Sequence, residues 1–281
     1  MANAFDSATQ QELAARLRFY RDLGLTELYR RPVDAALLEK LKAAAETAVP
    51  APEPQTAAEP AAPALILEEA TIPPRKSFPA PPEVGGMVPA AEREAALRVI
   101  REDIGECTRC ELHKGRHKIV FADGSPTARL MFVGEGPGAD EDAQGLPFVG
   151  RAGQLLNNMI GAMGLKREEV YIANVVKCRP PGNRTPEPEE AHTCSPFLFR
   201  QIDVVRPEVL VALGATAATY LLGQRQPLAG LRGRIHSVRG VRLIVTYHPA
   251  YLLRDPRQKK EAWADLQIAM KELGLKLPSK G

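Results

Sequence analysis

The sequence predicts an α/β fold, a parallel sheet covered by helices on both faces. Short β-rich apolar runs recur at Leu130–Val133, Val170–Val176, Val209–Leu213 and Leu243–Thr246. Helical stretches separate them, near 151–163, 187–204, 215–222 and 257–273. Strands alternating with helices imply parallel pairing with helices packed over the sheet. The first run also passes directly into Gly134-Glu-Gly-Pro-Gly138, a strand feeding a glycine-rich loop. In such sheets ligands bind at the carboxyl ends of the strands, which marks Glu135, 174–178, Gly214 and 247–249 as the positions to read for chemistry.

The elements before the sheet read differently. Residues 1–47 predict a helical hairpin: Leu13, Leu17 and Tyr20 share one face, and Leu37, Leu38 and Leu41 form a second stripe after a break over 24–32. From 48 to 90 the composition turns to Ala, Pro and Glu, with 11 of the 25 prolines and no periodicity, which predicts a disordered, partly extended linker. A helix near 90–104 opens the third region, a domain over 91–281.

Of the net charge of +3, residues 1–90 contribute 9 basic and 12 acidic side chains and residues 91–281 contribute 28 and 22. The +6 of the later region suits a polyanionic partner. No basic leader precedes an apolar core at the start, and no apolar run approaches the roughly 20 residues of a membrane helix. The expectation is a cytoplasmic, monomeric protein with no membrane association, in a compartment that keeps thiols reduced.

The four cysteines therefore need a use other than disulfides. Cys107-x2-Cys110, Cys178 and Cys194 account for all of them and make a complete tetrathiolate set. One CxxC pair followed by 67 other residues is not the two-knuckle zinc ribbon, and spacing alone leaves zinc and an iron-sulfur cluster both open. His192 is a rival ligand, better read as a helix-surface histidine. The glycine-rich loop lacks GxxxxGK[ST] and GxGxxG, so it is no phosphate cradle. Its glycines at 134, 136 and 138 instead permit close backbone approach to a ligand, and Phe148 offers a flat face for an aromatic ring.

The motifs GEGPGADEDAQGLPFVGRAG, CTRC, NVVKCRPPGNRTPEPEEAHTC and HPAYLLR, in that order between about 104 and 273, resemble the family 4 uracil-DNA glycosylases. The resemblance does not cover the first 90 residues. It implies a three-layer α/β/α fold with a four-stranded parallel sheet, a [4Fe-4S] cluster on Cys107, Cys110, Cys178 and Cys194, and a uracil pocket at the strand ends. The expected activity is hydrolysis of the N-glycosidic bond of a flipped uracil in DNA, leaving an abasic site.

Under that resemblance Phe148 stacks on the base. Asn174 offers an acceptor and a donor to uracil N3–H and O4, a pattern cytosine reverses. His248 donates to O2 as negative charge develops. Glu135 is the candidate for holding water or steadying the cationic sugar. Gly136 stands where the first family of uracil glycosylases has its water-orienting aspartate, and Glu141 is expected to crowd the thymine methyl. Asp140 and Asp142 read as a solvated acidic turn. Tyr251, Leu252, Leu253 and Arg254 are expected to wedge the stack and hold phosphate, with Arg179, Arg184 and the Arg232–His236 run adding positive charge. His236 also raises a lower-ranked alternative, a covalent uracil-crosslinking relative, and a second alternative is an inert cluster-bearing DNA-binding module. The hairpin over 1–47 is a candidate dock for a replication or repair protein.

Overall fold

The computed structural model describes residues 86–277; the predicted hairpin and nearly all of the predicted linker lie outside them. The regular elements are α1 (Arg93–Ile104), β1 (Asp123–Gly124), β2 (Leu130–Gly134), α2 (Ala139–Gln144), α3 (Arg151–Ala162), β3 (Tyr171–Asn174) and α4 (Pro188–Val205), then β4 (Val209–Leu213), α5 (Ala215–Leu222), α6 (Leu228–Leu231), β5 (Ile235–Val238), β6 (Val241–Thr246), α7 (Pro249–Arg254) and α8 (Lys259–Glu272).

The strands form one sheet in the order β1-β3-β2-β4-β6-β5. Its four inner strands are parallel, as expected, and each edge carries an added antiparallel strand. All residues of β2, β3 and β4 are buried, which is why they read as continuous apolar runs. Alternate side chains serve two separate cores. Met131, Val133, Leu210 and Leu243 pack with Leu97 and Ile100 of α1 and with Leu198 and Ile202 of α4. Leu130, Phe132, Val211 and Ile244 pack with Leu156 and Ile160 of α3 and with Leu266 and Met270 of α8. The result is the three-layer α/β/α sandwich.

Register then determines where chemistry can sit. Gly134 is opposite Asn174 across β2 and β3, and Leu213 is opposite Thr246 across β4 and β6. The parallel strands thus end nearly level, and the residues that follow them share one edge. No helix among the described residues is long and apolar enough to cross a membrane.

Candidate active site

A cavity of about 540 Å³ opens at that edge. Glu135, Gly136, Glu141, Phe148, Asn174 and His248 all line it, so the structure brings together every predicted catalytic and base-reading residue.

Gly134 is the pivot of the arrangement. A Cβ there would stand 2.4 Å from Asn174 Oδ1 and 2.6 Å from Phe148 Cζ, distances that real atoms do not adopt. The close approach that these glycines permit is therefore toward neighbouring side chains of the protein itself: a Cβ on Gly136 would meet Val176, and one on Gly138 the Glu141 carboxylate. Gly134→Ala is expected to displace Asn174 and Phe148 together, lowering kcat/KM at least about tenfold by misplacing both groups; unchanged steady-state kinetics would refute this.

Phe148 is 5% exposed, belongs to the core beneath α3, and also lines the cavity, so its core and platform roles coincide. Its φ of 53° is the left-handed region that bulky residues avoid. Asn174 is 2% exposed, and its Oδ1 is buried without a hydrogen-bond partner. Native interiors rarely leave such an acceptor unsatisfied, and those that do so tend to be at functional sites.

His248 caps the N-terminus of α7, its Nδ1 accepting the amide N–H of Ala250 at 3.1 Å. With Nδ1 an acceptor, the neutral ring carries its proton on Nε2. Burial, and then the Arg254 cation, push its pKa down to about 4, against an opposing pull from Glu141. The imidazole lies 5.6 Å from the Phe148 ring, centroid to centroid. Gly214, at φ 95°, leaves room for it, because a Cβ there would sit 3.2 Å from His248 Cβ.

The carboxylates are less alike than their sequence suggests. Glu135 is half-buried at the cavity wall. Glu141 is 9% exposed, and its oxygens accept the amides of Gly138, Val149 and Gly150 at 3.1, 2.9 and 3.0 Å. Asp140 is exposed at the cavity, but Asp142 is fully buried, which corrects its reading as a solvated turn. It accepts the His117 ring at 2.6 Å and the backbone amides of His117 and Lys118, and those bonds offset burial to hold its pKa below the usual range.

Of the residues expected to hold DNA, Tyr251, Arg254 and Arg184 line the cavity. Leu252 is withdrawn: it is 1% exposed, and a wedge must reach solvent. Leu253, its neighbour on the outer face of α7, is 36% exposed and remains. Leu252→Ala is expected to cost about 2–5 kcal/mol in urea melts through the cavity it leaves, and Leu253→Ala less than about 0.5 kcal/mol; equal losses would reverse the assignment. Arg184 is paired bidentately with Glu190 at 2.7 and 2.9 Å, and Arg179 donates to Asn183 Oδ1 at 2.7 Å. The Arg232–His236 run is not a free basic loop: Arg232 donates to buried Asp265 at 2.7 Å, and β5 begins at Ile235. His236 Nε2 lies 2.8 Å from the Leu231 carbonyl, and the residue is not among those lining the cavity.

The chain matches the uracil DNA glycosylase superfamily over residues 121–267. A type-4 uracil-DNA glycosylase of Thermotoga maritima is 48% identical over 165 residues, 58% of this chain and 86% of the relative. That of Archaeoglobus fulgidus is 41% identical over 189 residues, 64% of this chain and 94% of the relative. The chain belongs to the type-4 uracil-DNA glycosylases. A type-5 uracil-DNA glycosylase of Pyrobaculum aerophilum is more distant, at 34% over 146 residues, 46% of this chain and 64% of that one.

The four cysteines of this glycosylase come from three chain segments and line a second cavity. All are free thiols. Among the described residues no three or more His, Cys, Asp or Glu side chains gather tightly enough for a single metal ion; the four sulfurs share a cavity and not a point. Three of the sulfurs have N–H donors beside them. Arg109 and Arg116 each donate from Nη1 at 3.5 Å, to Cys107 and Cys178 respectively, and the Lys177 amide donates to Cys194 at 3.3 Å. Burial nevertheless pushes the Cys194 thiol up to about 12 and raises Cys110 and Cys178. His192 packs edge-on against Tyr220 and does not line this cavity.

Sequence reading missed several participants. Arg151 and Asn183 line the active-site cavity. Lys177 is fully buried, its Nζ donating to the Asn174 carbonyl at 2.8 Å and to Gln201 Oε1 at 2.6 Å, and burial lowers its pKa to about 8. The only signal for it was a lysine within an otherwise apolar strand end.

Proposed function

We propose that this glycosylase hydrolyses uracil from DNA by flipping the nucleotide into the strand-end cavity, leaving an abasic site. The observation that carries the reading is the buried, unpartnered Oδ1 of Asn174 in the same cavity as the ring of Phe148 and the imidazole of His248. Phe148 stacks on the base. Asn174 Oδ1 accepts uracil N3–H and its amide donates to O4; cytosine, with an acceptor at N3 and a donor at C4, meets like against like.

As the bond between C1′ and N1 breaks, its electron pair leaves with the base and spreads onto O2. His248 Nε2–H, held neutral, donates there. The oxygen of a water then bonds to C1′ as one of its O–H bonds breaks, the released proton balancing the one that the uracil anion takes up to leave as neutral uracil, and Glu135, at the cavity wall, orients that water and steadies the positive sugar. Glu141 bounds the base edge. Arg254, Tyr251, Leu253 and Arg179 hold the strand, supported by the basic balance of residues 91–281.

Cys107, Cys110, Cys178 and Cys194 fit a [4Fe-4S] cluster: four cysteine sulfurs around one cavity, with N–H donors to three of them. When bound, such a group ties the segment after α1, the turn after β3 and α4 into one unit. The shared turn 174–178 links that unit to the base pocket.

The test is incubation of anaerobically purified, full-length protein with a uracil-containing oligonucleotide, followed by alkali. Strand cleavage at uracil is expected, with about four irons per chain by metal analysis and a brown colour that Cys178→Ser removes. Intact strands from iron-loaded protein would overturn the activity. Zinc in place of iron would overturn the cluster. A protein–DNA complex surviving a denaturing gel would favour covalent chemistry over hydrolysis.

A further inference from the structure

The pocket's aromatic face is held in a conformation that phenylalanine rarely adopts, and the structure contains a device that holds it. Phe148 has φ 53°, where Cβ crowds the neighbouring carbonyl. Relaxing to negative φ would swing the Cα–Cβ bond and carry the ring away from Asn174 and His248. A strained residue persists only where its surroundings over-determine it.

Four hydrogen bonds act here, three on the two peptide groups flanking this residue and one on the peptide that follows them. Arg167 spans the residue, donating from Nη2 to the Pro147 carbonyl on its amino side at 2.6 Å and from Nη1 to the Phe148 carbonyl on its carboxyl side at 3.1 Å. On the carboxyl side, Glu141 Oε1 accepts the amides of Val149 at 2.9 Å and Gly150 at 3.0 Å. Both side chains are anchored in turn. Arg167 donates from Nε to Asp123 at 2.7 Å and from Nη1 to Asn157 Oδ1 at 2.8 Å, while Glu141 Oε2 accepts the Gly138 amide. Gly153, at the start of α3, lies so close that a Cβ would stand 1.9 Å from the Phe148 oxygen. Arg167 itself does not line the cavity.

We propose that Arg167 and Glu141 are positioning residues which clamp the backbone on both sides of Phe148 and so present its ring to the base. The proposal rests on the reading of Phe148 as the base platform. It gives Arg167, 19 residues away in sequence and outside the pocket, a specific part in substrate binding.

A double-mutant cycle tests it, with kcat/KM on a uracil-containing single-stranded oligonucleotide and inhibition by free uracil as readouts, and thermal melts to show that each variant is folded. Phe148→Ala and Arg167→Met are each expected to lower kcat/KM roughly 10- to 100-fold and to weaken free-uracil inhibition by a similar factor. In the Phe148→Ala background, Arg167→Met is expected to change kcat/KM less than about twofold, because its effect passes through the missing ring. Where Arg167→Met does not fold, Arg167→Lys, which cannot span both carbonyls with one planar fork, replaces it in the same cycle, with the same non-additivity expected. Full activity in the Arg167 variant, or losses that multiply in the double mutant, overturns the proposal alone. Full activity in Phe148→Ala overturns the platform reading itself.

Discussion

Asn174→Ala is expected to lower kcat/KM on uracil-containing DNA by roughly 10²–10⁴-fold while leaving the melting temperature unchanged or raised. The two effects have opposite sign for one reason. In the free protein, Asn174 Oδ1 is a buried acceptor without a partner, and burying such a group costs stability. Removing the side chain removes that cost. In the substrate complex, alanine leaves uracil N3–H and O4 buried and unpaired, at about 1–3 kcal/mol each. Together they account for the expected loss at about 1.4 kcal/mol per factor of ten. Thermal melts beside steady-state kinetics decide the matter. A marked fall in melting temperature with activity retained would make Asn174 a turn former and remove it from the site.

Much of this architecture is legible in the sequence because burial on both faces leaves a plain signal. The runs at β2 and β4 are apolar throughout, and the helices between them are long enough to show a stripe. The edges are not legible. β1 is two residues long, and β5 opens on Ile235, which is 47% exposed, so neither has a pattern to find. α2 was hidden for another reason: Ala-Asp-Glu-Asp-Ala-Gln follows three glycines and reads as loop, and the bonds that make it a helix start come from Glu141 folding back onto Gly138.

The site residues divide the same way. Glu135, Asn174 and His248 each lie at or beside the end of a strand, where topology alone points to chemistry. Leu252 and Leu253 are adjacent and identical in type, and only the phase of a six-residue helix makes one core and the other surface. Asp142 reads as a solvated acid until His117, 25 residues earlier, is seen covering it. Arg167 and Lys177 act through backbone carbonyls, which have no sequence signature at all.

His248→Ala is expected to lower kcat roughly 10²–10³-fold, the usual effect of removing a donor that meets charge only in the transition state, with a smaller change in KM. Its pH behaviour separates this role from that of a general acid. Burial and Arg254 hold the folded pKa near 4, well below the unfolded value of about 6.5. The ring is therefore a neutral Nε2–H donor throughout the working range, and no acid limb attributable to it appears in kcat between about pH 5 and 8. Stability follows from the same shift. Between about pH 6.5 and 4 the unfolded chain binds a proton at this position that the folded chain does not. The stabilising contribution is complete above the unfolded pKa and is lost as pH falls through the folded one. Urea melts on wild type and His248→Gln across this range are expected to differ in slope, with the variant flatter. Arg254→Ala removes the cation that depresses the ring, so its His248 pKa is expected to rise, and NMR titration of the imidazole measures it directly. A limb in kcat near pH 6.5 that disappears in His248→Gln would mean the histidine transfers its proton, and the neutral-donor mechanism would have to be abandoned.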